Sequence, residues 1–144
     1  MDVFKVILLF VFFVLFTILI IPPIYAIEPL DRAPAASLRL VNVSDNQVIE
    51  HLNVNQRVLV TADITNNQED PQKFVFIVQI KNDENVIISL GWITGTLNPN
   101  QSLSTARSWT PDQPGTYLAE IFVWESLENQ DALSESLSIS IITS

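Results

Sequence analysis

From residue 57 onward the chain alternates apolar and polar side chains with a period of two, and no comparable stretch keeps the 3.6-residue period of an amphipathic helix. Val58, Val60, Ala62 and Ile64 fall on one side, and Leu59, Thr61, Asp63 and Thr65 on the other. A strand sends successive side chains to opposite faces, so this is the pattern of a strand buried on one side. Asn66-Asn67-Gln68-Glu69-Asp70-Pro71 ends it, because Asn and Asp bond back to their own backbone and Pro has no ladder donor. The alternation resumes with Phe74, Phe76, Val78 and Ile80, turns at Asn82-Asp83-Glu84-Asn85, and continues through Val86, Ile88, Leu90 and Trp92. The same reading gives seven strands, at 37–44, 57–66, 73–81, 86–97, 103–109, 116–125 and 136–143. The connections are too short for the crossovers a parallel sheet needs, so an all-β, antiparallel sandwich is predicted.

The segment before the domain has a different character. Residues 6–21 contain a single polar residue, Thr17, and are followed by Pro22-Pro23 and Ile24-Tyr25-Ala26. Lys5, a short apolar run and a small residue at a cleavage position are the layout of an export signal; a retained membrane anchor is the alternative. The sixteen residues of 6–21 would rise about 24 Å as a helix, slightly less than a ~30 Å hydrocarbon core. Either reading exports the remainder. Residues 1–26 are therefore expected to be a hydrophobic signal or anchor helix, 27–36 a Pro- and Ala-containing spacer, and 37–144 the domain. The triplets Asn42-Val43-Ser44 and Asn100-Gln101-Ser102 make Asn42 and Asn100 candidate glycosylation sites, or plain surface loops.

Composition narrows the chemistry. A formal net charge of −9 opposes binding to phosphate backbones and anionic lipid, so no nucleic-acid partner is expected and the membrane is met only through an uncleaved N-terminal segment. The chain has no Cys, which removes thiolate nucleophiles, disulfides, Cys-ligated zinc and iron–sulfur centres. His51 is the sole histidine and reads as a solvated residue at a strand edge or loop. The carboxylates of Glu69, Asp70, Asp83, Glu84, Glu125, Glu128 and Asp131 lie in polar turns, without the facing, pKa-split pair that glycoside hydrolysis requires. Gly91, Gly95 and Gly115 form no phosphate loop; Gly91 and Gly95 flank Trp92 and mark a bulge or a close backbone approach. No catalytic residue, cofactor or metal site is predicted.

Asp112-Gln113-Pro114-Gly115-Thr116-Tyr117-Leu118-Ala119 resembles the tyrosine corner of immunoglobulin-like domains, with Ala119 where antibody domains carry their second Cys. Phe74 to Lys81, Ser89 to Gly95, Ser108 to Pro111, Pro114 to Tyr117 and Phe122 to Ser126 together resemble the adhesion-type, CARDB-like modules of exported archaeal surface proteins. That resemblance implies a seven-stranded immunoglobulin-like sandwich without catalytic residues, acting as a binding or structural module of a cell-surface or membrane-associated assembly, with a protein partner. A secreted proteinase inhibitor or a carbohydrate-binding module are the alternatives. Phe74, Phe76, Trp92, Tyr117, Phe122 and Trp124 read first as core, but alternation refines this. If Tyr117 points inward, Phe122 and Trp124 point outward, beside Val75 and Ile77 of the strand expected to pair with theirs. Val75, Ile77, Phe122 and Trp124 are therefore the candidate interface.

Overall fold

The computed structural model describes residues 3–4, 26–44 and 47–144. The helix expected over 1–26 lies, apart from Val3, Phe4 and Ala26, outside the described residues. Among the described residues no helix is long and apolar enough to cross a membrane. The described residues form a short 3-10 turn at Pro29–Asp31 and eight strands: β1 Ala35–Asn42, β2 His51–Leu52, β3 Val58–Thr65, β4 Gln72–Lys81, β5 Ile87–Leu97, β6 Ser102–Trp109, β7 Gly115–Trp124 and β8 Leu137–Thr143. One sheet has the order β1-β3-β6 and the other β2-β8-β7-β4-β5. All pairings are antiparallel except that of β2 with β8. This is the two-layer immunoglobulin-like sandwich, with one strand more than the periodicity indicates. β2 is two residues long, too short to show alternation; it buries Leu52 and exposes His51.

The inward sides follow the alternation. Val58, Val60, Ala62 and Ile64 of β3 meet Phe74, Phe76, Val78 and Ile80 of β4 and Tyr117, Ala119, Ile121 and Val123 of β7 in one core. Each large side chain removed from water contributes roughly 1.5–3 kcal/mol, so this layer dominates the stability of the domain. Tyr117 is 7% exposed and its hydroxyl donates to the Gln113 carbonyl at 2.8 Å, which closes the tyrosine corner. Trp109 packs edge-on against the Tyr117 ring, centroids 5.0 Å apart, at that end of the sandwich.

Two local features stand beside the sequence reading. The first lies in the segment expected as a spacer. Ala33 is in the core, its amide donates to the Leu133 carbonyl at 3.0 Å, and the Ala35 amide donates to Ser134 Oγ at 2.9 Å. Small residues fit there because two chain segments converge on the end of β7. The second feature is β5. Two of its inward positions are glycines, beside Ile93 and the fully buried Leu97: a Cβ on Gly91 would collide with the Arg107 guanidinium, and one on Gly95 would lie 2.8 Å from the Phe74 ring. The close backbone approach expected at these glycines is thus filled by Arg107 and Phe74. Trp92, read first as core, is correspondingly turned outward and is 48% exposed.

Candidate docking face

The outward side of the five-stranded sheet carries the four residues picked out by alternation. The register sets Val75 opposite Trp124 and Ile77 opposite Phe122 across β4 and β7. On the other flank of β4, Val75 faces Thr94 and Ile77 faces Trp92. Val75 and Ile77 point outward yet are 0% and 6% exposed, because β4 lies between two neighbours bearing larger side chains. The surface presented to solvent is therefore the rings. Phe122 and Trp124 are half-buried, with centroids 6.2 Å apart, and Trp92 stands across β4 from them. Trp92 is a member of this patch that sequence reasoning placed inside. Its signal was the pair of glycines flanking it: with Gly at two inward positions the middle of β5 offers the core little bulk, and the large Trp92 ring lies on the other side.

The same face becomes polar toward the other end of the strands. Lys81 Nζ lies 2.7 Å from Glu120 Oε2, which also accepts from Gln79 Nε2 at 2.9 Å. The Lys81 ammonium, helped by Gln79, holds the Glu120 carboxyl below its ordinary range. An apolar centre bordered by a satisfied polar cluster is the usual arrangement of a protein contact surface. The segment between β7 and β8 leaves the rings open. Leu133 turns into the core and Ala132 bridges the edge of Trp124, so this segment extends the sheet rather than lying across it.

The outward side of the other sheet is polar. Arg39 makes two bonds to Asp63, at 3.0 and 3.1 Å, and the Ser104 hydroxyl bonds the same carboxylate. The Arg39 guanidinium first, and Ser104 second, hold the Asp63 carboxyl below its ordinary range. Asn42 ends β1 with its side-chain oxygen accepting from the Ser44 amide at 2.9 Å, and Asn100 is exposed in the β5–β6 turn with φ 57°. Left-handed φ is tolerated by Asn more readily than by most residues. A cavity of about 400 Å³ at the tyrosine-corner end is lined by Trp109, Tyr117, Asp83 and Asp112 among others, with no histidine beside its carboxylates. Among the described residues no group of three or more His, Cys, Asp or Glu could hold a metal ion.

The fold has known counterparts. The C-terminal domain of Wzt superposes with a TM-score of 0.66 at 12% identity, covering 78% of this chain and 74% of that one. A CARDB domain from Pyrococcus furiosus, solved with two metal ions, gives 0.54 at 13% identity, over 86% of this chain and 99% of that one. A β-glucosidase from Listeria innocua gives 0.52 at 13% identity, but this chain spans only 15% of that enzyme's length. At these identities the likeness is one of fold alone. No curated protein sequence matched the chain. A family model does match: S-layer A-like, over residues 32–140. That family and an immunoglobulin-like sandwich together indicate a cell-surface module, and the chain belongs to the S-layer A-like family.

Proposed function

We propose that the chain is an exported, non-catalytic module of a cell-surface or membrane-associated assembly, and that it docks a protein partner through the outward side of its five-stranded sheet. The observation that carries this reading is the ring cluster of Trp92, Phe122 and Trp124 over Val75 and Ile77. Those rings lie outside the core that already stabilises the sandwich, and a contiguous apolar patch of this kind marks a contact site more often than scattered apolar residues do. Three rings on the outward side of a sheet suit another protein's surface better than a small substrate. The S-layer A-like family supports an extracellular location, and the non-catalytic character of such modules supports binding rather than turnover. Carbohydrate binding through the same rings is the second reading, since exposed Trp residues can stack on sugar rings. Trp124→Ser or Phe122→Ser is expected to weaken association with proteins recovered from gently solubilised membranes while the melting temperature moves by only a few degrees. Unchanged recovery from either variant refutes the docking face. Loss of glycan-array binding in its place identifies the sugar reading.

A further inference from the structure

The two ends of the sandwich are finished differently. Where the chain enters the domain, Ala33 and Leu133 sit in the core and close that end. At the tyrosine-corner end, the turn between β4 and β5 and the loop between β6 and β7 border the cavity of about 400 Å³. Three kinds of surface meet in it. Trp109 and Tyr117 bring aromatic rings, Ile88 and Pro114 an apolar wall, and Asp83 and Asp112 one carboxylate from each loop. Gly115, at φ 157°, leaves the space beside the Tyr117 ring open: a Cβ there would lie 3.8 Å from that ring. Both carboxylate-bearing segments are fastened. The Asn82 side-chain oxygen accepts from the Val86 amide at 2.9 Å, which ties the β4–β5 turn. The β6–β7 loop is held twice, by the Asn55 amide donating to the Pro111 carbonyl at 2.8 Å and by the Tyr117 hydroxyl donating to Gln113.

We propose that this cavity binds an alkylammonium ion, with the charged end held by Asp83 and Asp112 and the methylene stem lying along Ile88, Pro114 and the rings. Charge selects a cation. No Lys, Arg or His lines the cavity, and among the described residues neither carboxylate is engaged in an ion pair. Lys81, the nearest basic residue along the β4–β5 turn, is already paired with Glu120 at 2.7 Å. Two uncompensated carboxylates on a chain of net charge −9 attract a positive ligand, and aromatic rings add to that through their electron-rich faces. Size and lining select an organic cation over a metal ion. Two carboxylates fall short of the ~6–8 oxygen ligands that Ca²⁺ takes. The volume is that of a small-molecule site, which runs from ~300 to ~1,000 Å³. A bare ion would leave Ile88, 44% exposed, and Pro114 uncovered, whereas an alkyl stem packs on such surface while its charged end stays polar. A free aliphatic amine and the lysine side chain of another protein share this chemistry. The site lies beyond the strand ends and the Trp92, Phe122 and Trp124 rings lie on the sheet face, so neither contact depends on the other.

The chain has only 3 Trp, so indole ¹⁵N–¹H spectra of the full-length protein in non-ionic detergent report the site, with the Trp109 signal identified by Trp109→Phe. Cadaverine and Nα-acetyl-lysine methylamide are expected to shift that signal saturably, with midpoints on the order of 1 mM for ligands so small. The Trp92 and Trp124 signals should stay in place. Nα-acetyl-norleucine methylamide, which has the stem without the charge, should shift nothing. Asp83→Asn with Asp112→Asn should weaken binding by about tenfold or more, since both charge-assisted contacts are lost. Both aspartates are exposed, so that variant should keep its melting temperature. Glu69→Gln with Asp70→Asn removes the same charge at the other end of the sandwich and should change binding by less than about two-fold. Phe122→Ser should bind as the unaltered chain does, which separates this result from the fate of the docking face. A cadaverine midpoint well below that of the lysine compound supports a free amine as occupant, and the reverse order supports a lysine side chain. Absence of a saturable shift with both amines overturns the proposal. An equal response to the norleucine compound, unchanged binding in the aspartate variant, or displacement of cadaverine by a lower concentration of CaCl₂ also overturns it.

Discussion

Tyr117 is where the fold can be tested most sharply, because its ring and its hydroxyl make separable contributions. The hydroxyl donates to the Gln113 carbonyl at 2.8 Å. Gln113 is exposed, so water can replace that donor when it is removed. Tyr117→Phe should therefore cost about 0.5–1 kcal/mol, the low end for a hydrogen bond whose acceptor is not stranded. Tyr117→Ala also removes a ring that is 7% exposed and that stands edge-on to Trp109 at 5.0 Å. Loss of a buried aromatic costs ~3–5 kcal/mol, and the edge-on pair accounts for roughly 0.5–1.5 of it. For a domain of this size that corresponds to a fall in Tm of ~12 °C or more. Urea unfolding followed by far-UV circular dichroism measures both variants without relying on Trp fluorescence. A Trp109→Ala double-mutant cycle isolates the ring pair. A Tyr117→Ala loss under ~1 kcal/mol would refute the corner as a stabilising element. Equal losses for Phe and Ala would show that the hydroxyl, not the ring, does the stabilising.

Two further outcomes are expected. Asp63 and Glu120 have carboxyls held below their ordinary range by Arg39 with Ser104 and by Lys81 with Gln79, so the folded state binds protons less readily than the unfolded one. Their contribution is present above the unfolded values near pH ~4 and is lost as pH falls through the folded values. The urea midpoint should drop below about pH 4, and Asp63→Asn with Glu120→Gln should flatten that drop; since both pairs are partly exposed, the change should be only about 0.2–1 kcal/mol each. Separately, the intact mass of protein from its native source should begin at Ile27, with added sugar at Asn42 or Asn100. A mass that retains residues 1–26 would replace the cleaved signal with an anchor, and a bare polypeptide mass would remove both glycosylation sites.

The strands were legible because each has one side that must be dry, and a period of two shows that directly. β3, β4 and β7 fall within a residue or two of the ranges read from alternation. β2 was not legible: a pair of residues docked parallel to β8 has no period, and Leu52 alone does not distinguish a strand from a loop. Trp92 was misread for a different physical reason. Both sides of β5 are compatible with burial, and glycine carries no hydrophobic signature even when Arg107 and Phe74 fill the space above it. Alternation also fixes which way a side chain points without fixing what lies beside it. Val75 and Ile77 point outward as the pattern requires, yet only the lateral register reveals that Trp92, Phe122 and Trp124 flank them closely enough to exclude water.

Trp92, Phe122 and Trp124 all stand on the outward side of the five-stranded sheet. Contact through that face would stack a partner on top of the sheet, along its normal. The opposite outward surface, built around Arg39, Asp63 and Ser104, has its polar groups satisfied internally. The sandwich is thus asymmetric, with one polar side and one apolar side. A partner that recognises the rings therefore meets the domain in one orientation, because the polar side offers it no apolar surface to bury. Charge sets the conditions: at −9 the domain repels an acidic partner and attracts a basic one, so raised salt should strengthen the first association and weaken the second.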